Sequence, residues 1–117
     1  MEDRFSQQLK KGVLDMLVLE LLCREPSYGY ELLTRLKEET NGLFCVKEGT
    51  LYPILYRLED DGFIEATWSA GEGRTTPKKI YAPTASGRDE QGRKRKQWHH
   101  FSKTVNDFMQ KENFHET

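Results

Sequence analysis

EGTLYPILYRLEDDGFIE, residues 48–65, joins an amphipathic helix directly to a strand. Leu51, Ile54, Leu55 and Leu58 fall at i, i+3, i+4 and i+7, the spacing of a helix that buries one stripe. The opposite face carries Thr50, Tyr52, Pro53, Tyr56 and Arg57, side chains that hydrogen-bond phosphates and base edges or lie flat against sugars. That face reads as a recognition surface; the same periodicity also suits an ordinary amphipathic core helix. A proline lacks the donor for an i to i−4 bond, and its ring clashes with the carbonyl four residues back, here Gly49. Thr50 is therefore expected as the N-cap, with Pro53 in the first turn and Gly62 as the stop. The positive end of the helix dipole then falls beside Gly49, Thr50 and Tyr52, a place suited to a phosphate.

Two helices are expected upstream. Residues 5–24 are apolar on more than one face, with Val13, Leu14, Met16, Leu17, Val18, Leu19, Leu21 and Leu22, so this helix must be covered by its own domain and by a further element, such as a partner chain. Pro26 breaks it, and Ser27 is a natural N-cap for a helix over residues 28–40. Tyr28, Leu32, Leu33 and Leu36 form the inner face of that helix, and Asn41-Gly42 ends it.

Downstream, Ile64, Ala66 and Trp68 alternate with Glu65 and Thr67 as in a half-buried strand, and KKIYAP at residues 78–83 reads as the returning strand. The two form a β-hairpin with a long tip. Arg74 lies in the tip and Lys78 and Lys79 at its base, where long cations can grip a phosphate backbone; a basic tip also keeps a strand edge soluble. Thr84 is expected to cap a last helix over residues 85–111. Trp98, Phe101, Val105 and Phe108 recur at steps of three, four and three, which is an a/d seam calling for a twin helix and the apolar first helix; the alternative is that this helix folds back on its own domain.

One domain with an appended helix is the expectation for 117 residues, with residues 1–84 as the binding domain and 85–117 as a dimerisation helix and tail. No apolar run approaches the roughly 20 residues that span a bilayer. The first residues, MEDRFSQQLKK, lack the apolar core and cleavage site of a secretory signal, so a cytoplasmic location is expected. Cys23 and Cys45 have no metal-ligand spacing and read as small buried hydrophobes, a redox-sensing thiol being the alternative. The adjacent His99 and His100 point about 100° apart on a helix and cannot share a metal as an i, i+4 pair could. Neither a metal nor a cofactor is implied. No phosphate loop, HxxxH pair or nucleophile motif is present, which argues against an enzyme. The net charge of −1 conceals an asymmetry: residues 74–96 hold eight basic against two acidic residues. Such a face could approach phosphates, although charge runs are commonly just solvated.

Helix, helix, helix, strand, basic loop, strand is the order of a winged helix-turn-helix domain. YGYEL at residues 28–32, GTLYPIL at 49–55, RLEDDGFIE at 57–65 and KIYAPTASG at 79–87 together resemble the PadR-like transcriptional regulators over nearly the whole chain. The resemblance implies a mainly α fold with a small β-hairpin, and a dimeric DNA-binding protein, usually a repressor. Its third helix would enter the major groove while the wing reaches the backbone or minor groove. Carried over by position, Tyr28, Gly49, Thr50, Tyr52 and Arg57 lie at or near the groove and Arg74, Lys78 and Lys79 on the wing, with Leu51 serving packing. The single final helix resembles the small branch of the family, where a tryptophan at the position of Trp98 stacks on flat aromatic or drug-like effectors between subunits; RKRKQ before it departs from that pattern and would favour anionic compounds. The expected dimer interface comprises Val13, Leu17, Trp98, Phe101, Val105 and Phe108. The rival is a winged-helix protein-interaction module in which Tyr52 and Tyr56 anchor a protein partner in place of double-stranded DNA.

Overall fold

The computed structural model describes residues 3–69 and 76–114, with side chains through residue 111. Arg74 and His115 lie outside the described residues. The elements run α1 (Arg4–Arg24), β1 (Ser27–Tyr28), α2 (Gly29–Glu39), α3 (Glu48–Asp60), β2 (Ile64–Trp68), β3 (Lys79–Pro83) and α4 (Ala85–Phe114). The expected order of helices and strands is present, with one addition. The two-residue β1 pairs with β3, giving an antiparallel sheet of order β1-β3-β2 in which Ser27 faces Tyr81 and Ala66 faces Tyr81 from the other side.

Helix α1 begins where the Asp3 carboxylate accepts a hydrogen bond from the Ser6 N–H at 2.8 Å. Its apolar run divides along its length. Leu14, Val18, Leu19, Leu21 and Leu22 are buried, Val13 and Leu17 are half-buried, and Phe5 and Leu9 are exposed. The C-terminal half is therefore the centre of the core, packed by α2, α4 and β3, while the N-terminal half turns apolar surface outward. Leu32 and Leu36 of α2, Leu51, Ile54, Leu55 and Leu58 of α3, and Ile64 and Tyr81 of the sheet complete the core around it.

Four local expectations are corrected. Ser27 does not cap α2: it is buried in β1, and its hydroxyl accepts from Arg35 Nη1 at 2.5 Å. Arg35 also donates to the carbonyls of Glu25 at 3.0 Å and Leu21 at 2.9 Å, so one α2 side chain closes the end of α1. The cap position falls to Tyr28, whose N–H donates to Glu31 at 2.9 Å. Helix α3 starts at Glu48 with Lys47 as its cap residue, so Thr50 lies inside the helix and Pro53 beyond the first turn. Gly49, which loses the Pro53 donor, is exposed, and water can serve its carbonyl. Trp68, which ends β2, is 68% exposed, whereas Ile64, at the other end of the strand, is buried. Cys45 is exposed and so is not a core hydrophobe, whereas Cys23 is half-buried and packs against the core; burial pushes the Cys23 thiol up, which makes it a weak nucleophile.

The wing is locked to α4 through residue 84. The Thr84 hydroxyl donates to the Gly62 carbonyl at 2.6 Å and accepts from the Gly87 N–H at 3.0 Å, as an N-cap should. The Thr84 N–H donates to the Phe63 carbonyl at 3.0 Å. A Cβ on Gly87 would lie 1.8 Å from that same carbonyl oxygen, so the close approach of α4 to the α3–β2 turn requires glycine. Farther along α4, the buried Gln91 donates to the Met16 carbonyl at 3.2 Å and to Glu20 at 2.9 Å, and Arg95 makes a two-point ion pair with Glu20. Beyond this clasp α4 leaves the core. Trp98, Phe101, Val105, Phe108 and Met109 are all exposed, so the helix does not fold back to cover its own seam.

Three outcomes are expected. Gly87→Ala destabilises the chain by about 3 kcal/mol, as overpacking against backbone does. Gly92→Ala, where an added Cβ meets nothing within 4 Å, is stabilising by about 1 kcal/mol; urea unfolding of both variants measures the contrast. Burial pushes the Glu20 carboxyl up, but hydrogen bonds from Arg95, Gln91 and Arg24, with the Arg95 charge, outweigh it and hold the group below its ordinary 4.5. The stability contributed by the clasp is thus fully present above that pH and is lost as pH falls through the lowered folded value. Glu20→Gln is expected to flatten the acid limb of thermal stability below about pH 5.

Candidate nucleic-acid interface

The exposed side of α3 is made by Gly49, Pro53, Tyr56 and Arg57, and the stripe of Leu51, Ile54, Leu55 and Leu58 holds the helix down on the core. Thr50 is exposed on its edge and Tyr52 is half-buried. Tyr52 packs against the start of α2, where a Cβ on Gly29 would lie 2.4 Å from its hydroxyl. Glycine at residue 29 thus leaves room for the Tyr52 ring, a packing role that its sequence position did not reveal.

Between α3, the start of α2 and the wing lies a groove of about 800 Å³. Tyr28, Tyr52, Tyr56, Lys78 and Lys79 line it, so five of the ten expected DNA contacts converge there. Tyr30 and Trp68 line it too. Sequence reasoning missed both: Tyr30 sits outside the apolar stripe of α2, and Trp68 was assigned inward by alternation. The cations are positioned by aromatic faces. Lys78 Nζ stands 4.8 Å from the centroid of the Tyr28 ring, and Lys79 Nζ 5.3 Å from Tyr81 and 6.0 Å from Tyr56. Lys79 also lies 3.7 Å from the Glu59 carboxylate. Burial pushes the Tyr81 hydroxyl up, so that ring stays a neutral platform at neutral pH.

Arg57 stands apart from this groove. One of its nitrogens donates to both oxygens of Asp15 on α1, at 3.0 and 3.1 Å. The pair ties α3 to α1 while remaining at the surface.

The expected dimer and effector residues divide in a similar way. Val13, Trp98 and Phe101 line an apolar groove of about 570 Å³ with Leu9, Leu43 and Phe44. The Trp98 and Phe101 rings are 6.3 Å apart and tilted by 30°. Leu17 instead lines a small cleft with Leu21 and Leu36, on the α2 side of α1, and Val105 and Phe108 continue the exposed stripe of α4. Lys94, from the basic run before Trp98, reaches a shallow pocket with Trp98, Phe101 and Asp15, whereas Arg95 is taken up by Glu20. Among the described residues no cluster of three or more His, Cys, Asp or Glu could hold a metal ion, and no helix is long and apolar enough to cross a membrane.

A three-helix unit whose third helix is exposed beside a cationic β-wing is a winged helix-turn-helix fold. The chain belongs to the Transcriptional regulator PadR-like family, whose profile matches residues 18–93. It is similar to the negative transcriptional regulator PadR of Bacillus subtilis, 35% identical over 78 residues, and spans 67% of its own length but only 42% of that relative's. A transcriptional regulator structure from Clostridium thermocellum superposes with a TM-score of 0.78 at 31% identity, covering 86% of this chain and 97% of that one. A PadR family regulator from Eggerthella lenta gives 0.77 at 34% identity, covering 88% and 87%. The protein is thus a transcriptional regulator of this family, as the Bacillus subtilis and Clostridium thermocellum proteins are named to be.

Exposed ion pairs add little to folding. Arg57→Ala is expected to lower the unfolding free energy by under about 1 kcal/mol. Urea denaturation measures this, and a larger loss would mean that Arg57 is a structural tie first.

Proposed function

We propose that the protein is a dimeric repressor that binds an inverted-repeat operator in double-stranded DNA through α3 and the wing and is released by a small aromatic effector. The observation that carries this reading is the pair of lysines held over tyrosine faces beside the exposed side of α3. Two wing cations set at the edge of a protruding helix suit phosphates flanking a major groove and have little use in an apolar protein contact. In this reading Gly49, Thr50, Pro53 and Tyr56 face the DNA, Tyr28, Tyr52, Lys78 and Lys79 grip its edge, Arg57 contributes from its pairing with Asp15, and Arg74 adds a further wing cation. Residues 1–84 act as the DNA-binding unit and 85–117 as the dimerisation helix and tail, working in the cytoplasm.

The dimer is supported by the exposed a/d stripe of Trp98, Phe101, Val105 and Phe108, together with exposed Phe5 and Leu9 on α1. So much contiguous apolar surface needs cover. Twofold symmetry would then set the two α3 helices about 34 Å apart, one turn of DNA. Trp98 lies at the mouth of an apolar groove, so a flat ligand stacked there would change the angle between the α4 helices and with it the spacing of the recognition helices.

The test is fluorescence anisotropy with the DNA flanking the protein's own reading frame, titrated across salt, alongside sedimentation of the same sample. The expected result is a dimer whose affinity falls steeply with salt. Lys78→Ala with Lys79→Ala should weaken binding and flatten the salt slope by about two units, close to one per lost phosphate contact. A monomer at micromolar concentration that ignores duplex DNA at low salt would overturn the proposal.

A further inference from the structure

A second groove, of about 520 Å³, runs along α3 between that helix and the N-terminal half of α1. Thr50, Ile54 and Arg57 of α3 face it, whereas Tyr52 and Tyr56 face the wing groove. At 3.6 residues per turn these two sets lie roughly 145° apart round the helix, and the exposed Gly49 and Pro53 fall between them. The exposed side of α3 is therefore flanked by two grooves.

The second groove is cationic. Lys10 and Lys11 enter it from α1, Lys47 from the connector before α3, and Arg57 from α3 itself. Among the described residues of its lining the carboxylate is Asp15, which is bonded to Arg57. Lys11 and Lys47 are exposed, while Lys10 is half-buried with its Nζ 5.9 Å from the Phe44 ring centroid. These lysines are scattered along the chain, and the fold gathers them.

We propose that this groove receives the phosphodiester backbone of the DNA strand opposite the one met by the wing, so that phosphates grip α3 from both flanks. The inference rests on the duplex-binding reading above. A helix with its side chains is about 10–12 Å across and the major groove about 12 Å wide, so a seated helix touches both walls. Those walls belong to different strands. Cations on the wing side alone would leave the second wall unmatched, and Lys10, Lys11 and Lys47 stand on that side.

The full-length protein is titrated with a fluorescent duplex of arbitrary sequence, for which backbone charge dominates, over a range of KCl concentrations. Lys10→Ala, Lys11→Ala and Lys47→Ala combined should lower affinity tenfold or more at moderate salt and flatten the salt slope by about two to three units. Lys103→Ala, whose cation pairs with Asp107 far along α4, should leave the slope unchanged. A normal slope in the triple variant, with a reduced slope in the Lys78→Ala, Lys79→Ala variant, overturns the second groove and leaves the wing reading standing; failure of the unaltered protein to bind overturns both. A readout that keeps the lysines uses Cys45, which is exposed and lines the same groove. Iron–EDTA attached there, in a Cys23→Ser background, should cut the backbone of a duplex selected by the protein from a random pool. Absence of cutting on a bound duplex overturns the proposal.

Discussion

The burial of the second half of α1 is the constraint on which the rest of the molecule depends. Val18, Leu19 and Leu22 are fully enclosed, and α2, β3 and α4 each pack against that stretch. Burying such side chains is worth about 1.5–3 kcal/mol each, so this short segment carries a large share of the net stability expected of a small domain. Its neighbours are then fixed by polar closures that only a buried helix could demand. Arg35 satisfies the carbonyls at its C-terminal end, and Gln91 reaches the Met16 carbonyl from the opposite side. Because α2 and α4 are both referred to α1, the proposed recognition face and the protruding helix share one reference.

That sharing gives α1 a second consequence. Its N-terminal half lies between two grooves, and Lys10 and Phe44 line both the cationic groove beside α3 and the apolar groove of Trp98. In the proposed regulator, an effector need not travel far to be felt. A ligand that shifts α1 against α4 acts on the same helix whose Asp15 holds Arg57 of α3. Any such signal requires the ligand to favour one arrangement of these helices over the other, and the Glu20 clasp with Gln91 and Arg95 is the contact that resists the shift.

Much of the fold was legible because its signals are local. The stripe of Leu51, Ile54, Leu55 and Leu58, the Asn41-Gly42 stop with both residues at positive φ, and the Thr84 cap each depend on residues within one or two turns. What escaped depends on distant partners. Ser27 has the chemistry of a cap, but Arg35 claims its hydroxyl and Tyr81 its backbone. Pro53 was placed too near the helix start because its missing donor and its ring both act on the Gly49 carbonyl, whereas that residue is exposed and water can serve the carbonyl. Alternation put Trp68 inside, yet no core lies beneath the end of β2. At the candidate interface, the wing lysines could be read from the basic run, but their seating on tyrosine faces could not. Lys10, Lys11 and Lys47 could not be joined into one surface without the tertiary fold.

A chain of net charge −1 can still present a cationic surface because its charges are unevenly placed, residues 74–96 holding eight basic against two acidic residues. Glu20, Glu39 and Glu90 are paired with arginines or lysines on α1, α2 and α4, away from α3. At the α3 face the arrangement differs: Arg57 and Lys79 are paired with Asp15 and Glu59, so two cations of the proposed contact surface are partly neutralised at rest. Such exposed pairs contribute under about 1 kcal/mol each, so exchanging a carboxylate for a phosphate costs little. The pairing nevertheless lowers the positive potential that an arbitrary polyanion would meet, and attraction of that kind dominates non-specific binding. A phosphate delivered by a well-fitted major groove arrives with the rest of the α3 contacts and can displace the carboxylate; a loosely held backbone cannot do so as effectively. In the proposed regulator, the resting ion pairs would bias the surface toward fit over charge alone, the discrimination that binding to one operator requires.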